Sequence, residues 1–430
     1  MEYVNMNPLK DMLTRTEEYG ALLTEYGRGE EFARLTQVIK ATLTTALEEA
    51  KAIAEGDISP DEPNDYPSIR RLCPGGNVKK PVPDISDIEE RMAGAVLGRF
   101  IGCTLGAPVE MWSIEQMQAL ADYCGMDFPP TDYWIRVEKP WETRYLVDKR
   151  EAYSKAGMNG VPVDDDVTYT ILGLLILEKY GPDFTTEQVA EIWKELLPMA
   201  YTAEDVALKN LKAGIPANEA GEVNNPYCQW IGADIRADGF AFGAAGNPEL
   251  AAKWGYLDAY LTHRRNGIYG EMFFAAAEAA AFTVDDPVEA IKIAMKEIPK
   301  TCALYRDIEW ALEIGPGIKD YLEARQAVDK RFPGMSPVHT NNNACLTIFG
   351  LMLGGGDFTK TISDVVAMGL DNDCTAATAG SIIGAIVGRK GISPHWTAPF
   401  HDKVRTYLNG LPEFSIEDLI RRFVALAASN

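Results

Sequence analysis

Glycine recurs at every fourth residue in two stretches of this chain: Gly94, Gly98, Gly102 and Gly106, then Gly380, Gly384 and Gly388. A glycine inside a helix costs roughly 1 kcal/mol against alanine. A repeated glycine face therefore needs a structural reason. Helices that meet backbone to backbone supply one, because only glycine leaves the space. The chain has no charge-free apolar run of about 18 residues, the length a membrane span requires, so the pattern predicts a close central helix pair in a globular core. Such a pair would hold the loops at its ends rigidly.

The rest of the chain also reads as helix. Between residues 7 and 55, Leu9, Met12, Leu13, Leu22, Leu23, Leu35, Val38, Ile39, Leu43, Leu47 and Ile53 stand at helical spacing among charged residues, the mark of amphipathic helices. Residues 57 to 86 are rich in Pro, Asp and Gly and predict a linker or an irregular wrap over the surface. From Ile88 onward, Ala-, Gly-, Leu- and Ile-rich segments alternate with loops, and few runs alternate as a strand would. Helices are predicted over 89–106, 167–180, 186–198, 248–262, 269–282, 287–297, 342–353, 375–388 and 415–428. The expected fold is all-α, a compact multi-helix bundle. The expected organisation is an N-terminal helical extension (1–56), a Pro/Asp-rich linker or wrap (57–87) and a catalytic all-α domain (88–430).

Charge narrows the partners. Asp and Glu number 63 against 41 Lys and Arg, a formal charge of -22. Nucleic acid and anionic membrane both reward clustered basic residues and are not expected as partners. The seven cysteines are scattered without a C-x-x-C pair and the histidines number four, which disfavours a zinc site and suits reduced thiols. The opening MEYVNMNPLKDMLTRTEEYG has no apolar signal core, so a cytoplasmic location is expected. GxSxG, HExxH and a dinucleotide-binding glycine fingerprint are all missing. LGGGDF, residues 353–358, lacks the Gly-Lys-Ser/Thr element of a phosphate loop and reads as a helix C-cap and turn.

Acids mark the candidate chemistry. GLDNDCTAATAGSIIGAIVG (369–388) sets Asp371 and Asp373 directly before an uncharged helix, and VPVDDDVTYT (161–170) does the same with Asp164, Asp165 and Asp166. One carboxylate suffices to cap a helix. Five acids in one cleft would repel one another by several kcal/mol unless cations neutralise them. Oxygen-only ligands suit hard ions: Mg²⁺, with Mn²⁺ or Ca²⁺ as substitutes. Further polar loops precede other helices. GCTLGAPVEMW delivers Glu110. THRRNGIYGEMFF carries His263, Asn266, Tyr269 and Glu271. SPVHTNNNACL carries His339 and Asn342, and NNPYCQWIGADIRADGF carries Trp230 and Arg236. Each alone fits a capped helix start as well as a binding loop.

Taken in order, GCTLGAPVE, DDDVTYT, THRRNGIYGEMF and GLDNDCTAATAGSIIGAIVG resemble the motifs of the ADP-ribosylglycohydrolase family, over about residues 90 to 390. The family includes the dinitrogenase-reductase-activating glycohydrolases and the crystallin J1 proteins. The resemblance implies an all-α fold with a two-magnesium cleft. It places metal ligands at Asp164, Asp165, Asp166, Asp371, Asp373 and Cys374, with Thr375 as a substitute for Cys374. It gives catalytic roles to Glu110 and Asp166. Substrate contacts would come from the loop His263–Tyr269, with Glu271, Arg236, His339 and Asn342 as further candidates. The chain departs from the family where Asp164 and Cys374 replace threonine ligands, Cys103 replaces an acid and Asn372 a threonine.

The implied activity is hydrolysis of an N- or O-glycosidic bond of an ADP-ribosyl or related ribosyl conjugate, small molecule or protein. Two Mg²⁺ would grip the vicinal hydroxyls, and a carboxylate would activate water. Two alternatives stay open: a glycosidase for small nucleosides or other sugar conjugates, and a non-catalytic ADP-ribose-binding or structural protein of the crystallin J1 kind.

Overall fold

The two glycine series face each other. In the computed structural model, which describes residues 3–55, 59–74, 85–137, 139 and 141–429, the helices Ile85–Gly106 and Asn372–Val387 run against one another along their length. A Cβ on Gly94 would stand 2.0 Å from the carbonyl oxygen of Gly384, and one on Gly98 2.0 Å from that of Gly380. One on Gly102 would stand 2.0 Å from the oxygen of Ala376. No side chain fits at such distances, so the spacing in the sequence is the spacing of backbone contacts. The register ends at the chemistry: a Cβ on Gly106 would lie 2.4 Å from the Cα of Asp373. The stretch Asp87–Val109 contains an 18-residue window apolar and long enough to cross a membrane, and that window is buried within the bundle.

Among the described residues the fold is all-α, with twenty α-helices and two two-stranded antiparallel ribbons, Thr143–Arg144 with Asp148–Lys149 and Lys403–Arg405 with Glu413–Ser415. Two compact units form. The smaller contains Met1–Pro60 with Phe332–Met335. Its helices Asn7–Glu25 and Gly29–Glu55 pack on one another, as their apolar spacing predicts, and leave Leu35, Val38 and Ile53 more than half exposed. The larger unit contains Asp61–Arg331 and Ser336–Asn430.

Within the Pro/Asp-rich segment, residues 56–58 and 75–84 lie outside the described residues, while Asp61–Pro74 belongs to the larger unit. It carries a short helix, Tyr66–Leu72, capped by Asp65, whose Oδ1 accepts from Ser68 N at 2.9 Å. Ile69 is fully buried there, and Arg70 pairs with Glu297 at 2.5 Å. Every predicted helix of the larger unit is present, with ends shifted by a few residues.

Five further helices of eleven residues or more lie outside those predicted: Ile114–Cys124, Thr202–Lys212, Ala303–Ile314, Tyr321–Arg331 and Phe358–Met368. Tyr321–Arg331 explains how they escape a periodicity reading. Its sequence YLEARQAVDKR buries only Ala324 and Val328, too narrow a stripe to register as an apolar face.

Candidate metal centre

Glu110 ends the turn that follows the Ile85–Gly106 helix, and Asp371 and Asp373 open the Asn372–Val387 helix, so the glycine contact brings these acids together. Asp164 caps a third helix, Asp165–Tyr180, its Oδ1 accepting from Asp166 N at 3.2 Å. The three helix ends border a cavity of about 400 Å³, lined by Glu110, Asp165, Asp166, Asp371 and Asp373 together with Tyr145, Tyr169, Tyr201, Trp230 and Val338. That size suits a small ligand.

The acids form two clusters whose oxygen or sulfur atoms all lie within 4.8 Å of one another: Glu110, Asp371 and Asp373 in one, Cys103, Asp164 and Asp166 in the other. Their surroundings differ. Asp166 Oδ1 accepts from the fully buried Arg99 at 2.6 Å, and Arg99 also pairs with Asp238 at 3.2 Å. Asp165 accepts from the Tyr145 hydroxyl at 2.6 Å. Burial holds the Cys103 thiol protonated, well above its ordinary pKa, with the acids around it adding to the effect. A protonated thiol is a poor ligand for a hard ion, and Asp166 is already held by a fully buried arginine.

The Glu110–Asp371–Asp373 cluster fits such an ion: it offers only carboxylates, and the buried Oδ1 of Asp373 has no hydrogen-bond partner. Desolvation and then the Asp373 charge raise the Asp371 pKa well above the usual range. The same two causes push Glu110 up to about 7, with Arg144 opposing them. An ion here would relieve both effects.

The model of the family described as ADP-ribosylglycohydrolase matches residues 84–428. The chain belongs to the ADP-ribosylglycohydrolase family. Among solved structures, an "ADP-ribosylglycohydrolase-related protein complex" aligns with 18% identity and a TM-score of 0.53, covering 80% of this chain and 99% of that one. It supports the fold. No curated protein matches.

In this ADP-ribosylglycohydrolase-family chain the structure gathers Glu110, Asp164, Asp165, Asp166, Asp371 and Asp373 at one place. Cys374 is buried behind them, its thiol held protonated by desolvation and by the charges of Asp166 and Asp371. Thr375 is buried as well, and its hydroxyl donates to the carbonyl of Asp371 at 3.0 Å.

The residues expected to touch substrate sit elsewhere. Arg236 is fully buried and bound to Glu204, Asp258 and Glu271. His263 is buried, with Nδ1 2.6 Å from the Thr262 hydroxyl. Asn266 bonds Glu62 and Gln229, and the Tyr269 hydroxyl donates to the carbonyl of Pro63 at 2.5 Å. That loop thus anchors the 61–66 segment. His339 caps its helix by accepting from Asn341 N at 3.1 Å, and Asn342 donates to the carbonyl of Ser336. None of these seven lines the cavity.

Arg144 escaped the sequence reading. It reaches the acids from the ribbon Thr143–Arg144 with Asp148–Lys149, whose turn holds Tyr145 and Leu146 at positive φ. Strands of two residues carry no periodic signal. The available clue is chemical: one arginine in ETRYLVDK, shortly before an acidic triplet.

Proposed function

We propose that this chain is a divalent-metal-dependent glycohydrolase that cleaves an N- or O-glycosidic bond of a ribosyl conjugate, ADP-ribosyl or closely related. The carrying observation is geometric: Glu110 lines the cavity, with a carboxylate oxygen within 4.8 Å of those of Asp371 and Asp373. A carboxylate so placed can serve in general acid–base catalysis on a ligand in the cavity.

Glu110, Asp371 and Asp373 would hold the ion, Mg²⁺ first among hard candidates. When bound, the ion supplies Lewis-acid charge and a grip for sugar hydroxyls. The chain's own residues do the remainder. Glu110 in its carboxylate form accepts a proton from the attacking water. Asp165, steadied by Tyr145, offers a second acceptor for a sugar hydroxyl. Tyr201 and Trp230 offer ring faces for the sugar or its leaving group and displace water.

One observation favours the uncharged members of this substrate class. The cations among the described lining residues are Arg144 and Arg150, and both are already paired, Arg150 with Glu142 at 3.1 Å. A pyrophosphate would find no unpaired cation among those described residues, whereas a nucleoside needs none.

The test is a panel of ADP-ribosylated arginine and serine peptides and free nucleosides, assayed with and without Mg²⁺ for released ADP-ribose or ribose. Release that requires the ion, and falls by at least a hundredfold in Asp371→Asn with Asp373→Asn, supports the reading. Unchanged turnover in that double variant sinks the site assignment. Tight binding of ADP-ribose without turnover of any glycoside would favour the binding-protein alternative.

A further inference from the structure

We propose that Arg144 supplies the positive charge that a second ion would otherwise bring, so that the cavity takes one divalent ion, at Glu110, Asp371 and Asp373. This rests on the metal-dependent reading above. Its ground is the position of the guanidinium. Arg144 Nη2 lies 3.0 Å from Glu110 Oε2, 3.1 Å from Asp164 Oδ2 and 3.5 Å from Asp373 Oδ2. It therefore touches both acid clusters at once, where a bridging cation would stand.

Its hold is built into the chain. Arg144 is nearly buried, its Nη1 donates to the carbonyl of Ala107, and its guanidinium lies 5.2 Å from the ring centroid of Tyr153. The ribbon that carries it is fastened at both sides of the turn. Tyr145 stacks on Tyr407 at 5.3 Å and donates to Asp165, while Asp148 accepts from Val163 N and pairs with Arg405. An arginine fixed by a carbonyl, a ring and a fastened ribbon is a resident charge.

The Asp164 side needs no further cation, because Arg144 and Arg99 already face Asp164 and Asp166. What remains uncompensated is Asp371 and the orphaned Oδ1 of Asp373, enough for one ion.

Stoichiometry decides it. Mn²⁺ binding to the full chain, measured by equilibrium dialysis and by electron paramagnetic resonance, is expected to give one ion per wild-type chain. Arg144→Gln is expected to give two, with the first bound at least tenfold more tightly, and Arg144→Lys one. Asp371→Asn in the wild-type background is expected to lose the single ion.

Two ions bound by the wild-type chain would overturn the proposal, as would Arg144→Gln binding one ion with unchanged affinity. Weaker binding in Arg144→Gln would also overturn it, by making Arg144 a support of the metal site. Absence of any ion from every form would overturn the metal-dependent reading itself, a distinct outcome. Should Arg144→Gln fail to fold, Arg144→Lys against wild type still discriminates, because the shorter cation that cannot reach all three acids should bind the first ion more tightly.

Discussion

Two acid-bearing helix starts converge on one cavity, and the rest of the chain treats them differently. At 164–166 each carboxylate has a protein donor: Arg144 for Asp164, Tyr145 for Asp165 and Arg99 for Asp166. At 371–373 the acids face each other and the cavity, Arg144 reaches Asp373 Oδ2 only at 3.5 Å, and the buried Oδ1 of Asp373 is left unpaired. Acid count alone equates the two loops. Partner count separates them into a loop that is structurally tied in and a loop whose charge awaits a ligand.

The largest effect that separates them concerns stability. Asp166→Ala strips a buried arginine of its closest partner, and such a loss costs about 3–5 kcal/mol. The lower end is expected here, because Arg99 keeps Asp238. Asp373→Asn removes like-charge repulsion and should leave the metal-free melting temperature equal or higher. Thermal denaturation of both without divalent ions checks this. Equal destabilisation by the two would erase the distinction between the loops.

The glycine contact offers a second comparison within the same helix pair. Gly98→Ala and Gly106→Ala both force a Cβ into occupied space, 2.0 Å from the Gly380 oxygen and 2.4 Å from the Asp373 Cα. Overpacking of this kind costs about 1–3 kcal/mol, so both melting temperatures should fall by similar amounts. Only Gly106→Ala should also weaken divalent-ion binding, by roughly tenfold, as displaced supporting residues do. Titration calorimetry of the two variants separates them. Matching affinities would mean that the register of the helix pair does not set the position of Asp373.

Legibility in the sequence follows the range of the physics. Backbone contact forbids side chains at fixed intervals, so Gly94 through Gly106 and Gly380 through Gly388 are readable without a structure. Acids ahead of an apolar helix are local as well, and Glu110, Asp164–Asp166, Asp371 and Asp373 could all be named. What failed to show was long-range. The polar residues His263, Asn266 and Tyr269 look like a ligand loop, yet Asn266 and Tyr269 bond Glu62 and Pro63, some 200 residues earlier in the chain. Arg236 reads as a substrate contact until Glu204, Asp258 and Glu271 are seen around it. Arg144 was invisible for the converse reason: it sits in a very short ribbon, and only tertiary structure brings it to the acids.

The smallest predicted effect is on pH dependence, and its sign follows from Glu110. With a folded-state pKa of about 7 against a usual value near 4.5, the folded chain keeps a proton between those two pH values that the unfolded chain has released. Stability therefore falls as pH rises through this window. Glu204, raised to about 7 chiefly by burial, acts in the same direction. The buried His263 and His339, both lowered, act oppositely as pH rises toward 6.5.

Wild type alone thus mixes signs, whereas the difference between Glu110→Gln and wild type isolates one group. In metal-free protein that difference should be near zero at pH 4.5 and grow in favour of the variant up to pH 8. Glu110 is about one-third exposed toward the cavity, so solvent screening limits the effect to about 1 kcal/mol, or roughly 1–2 °C. Saturating Mg²⁺ should reverse the order at pH 8, because only wild type then offers the full carboxylate set. A difference that stays flat from pH 4.5 to 8 would mean that Glu110 titrates as an ordinary surface carboxylate. The cavity acids would then not be coupled through it.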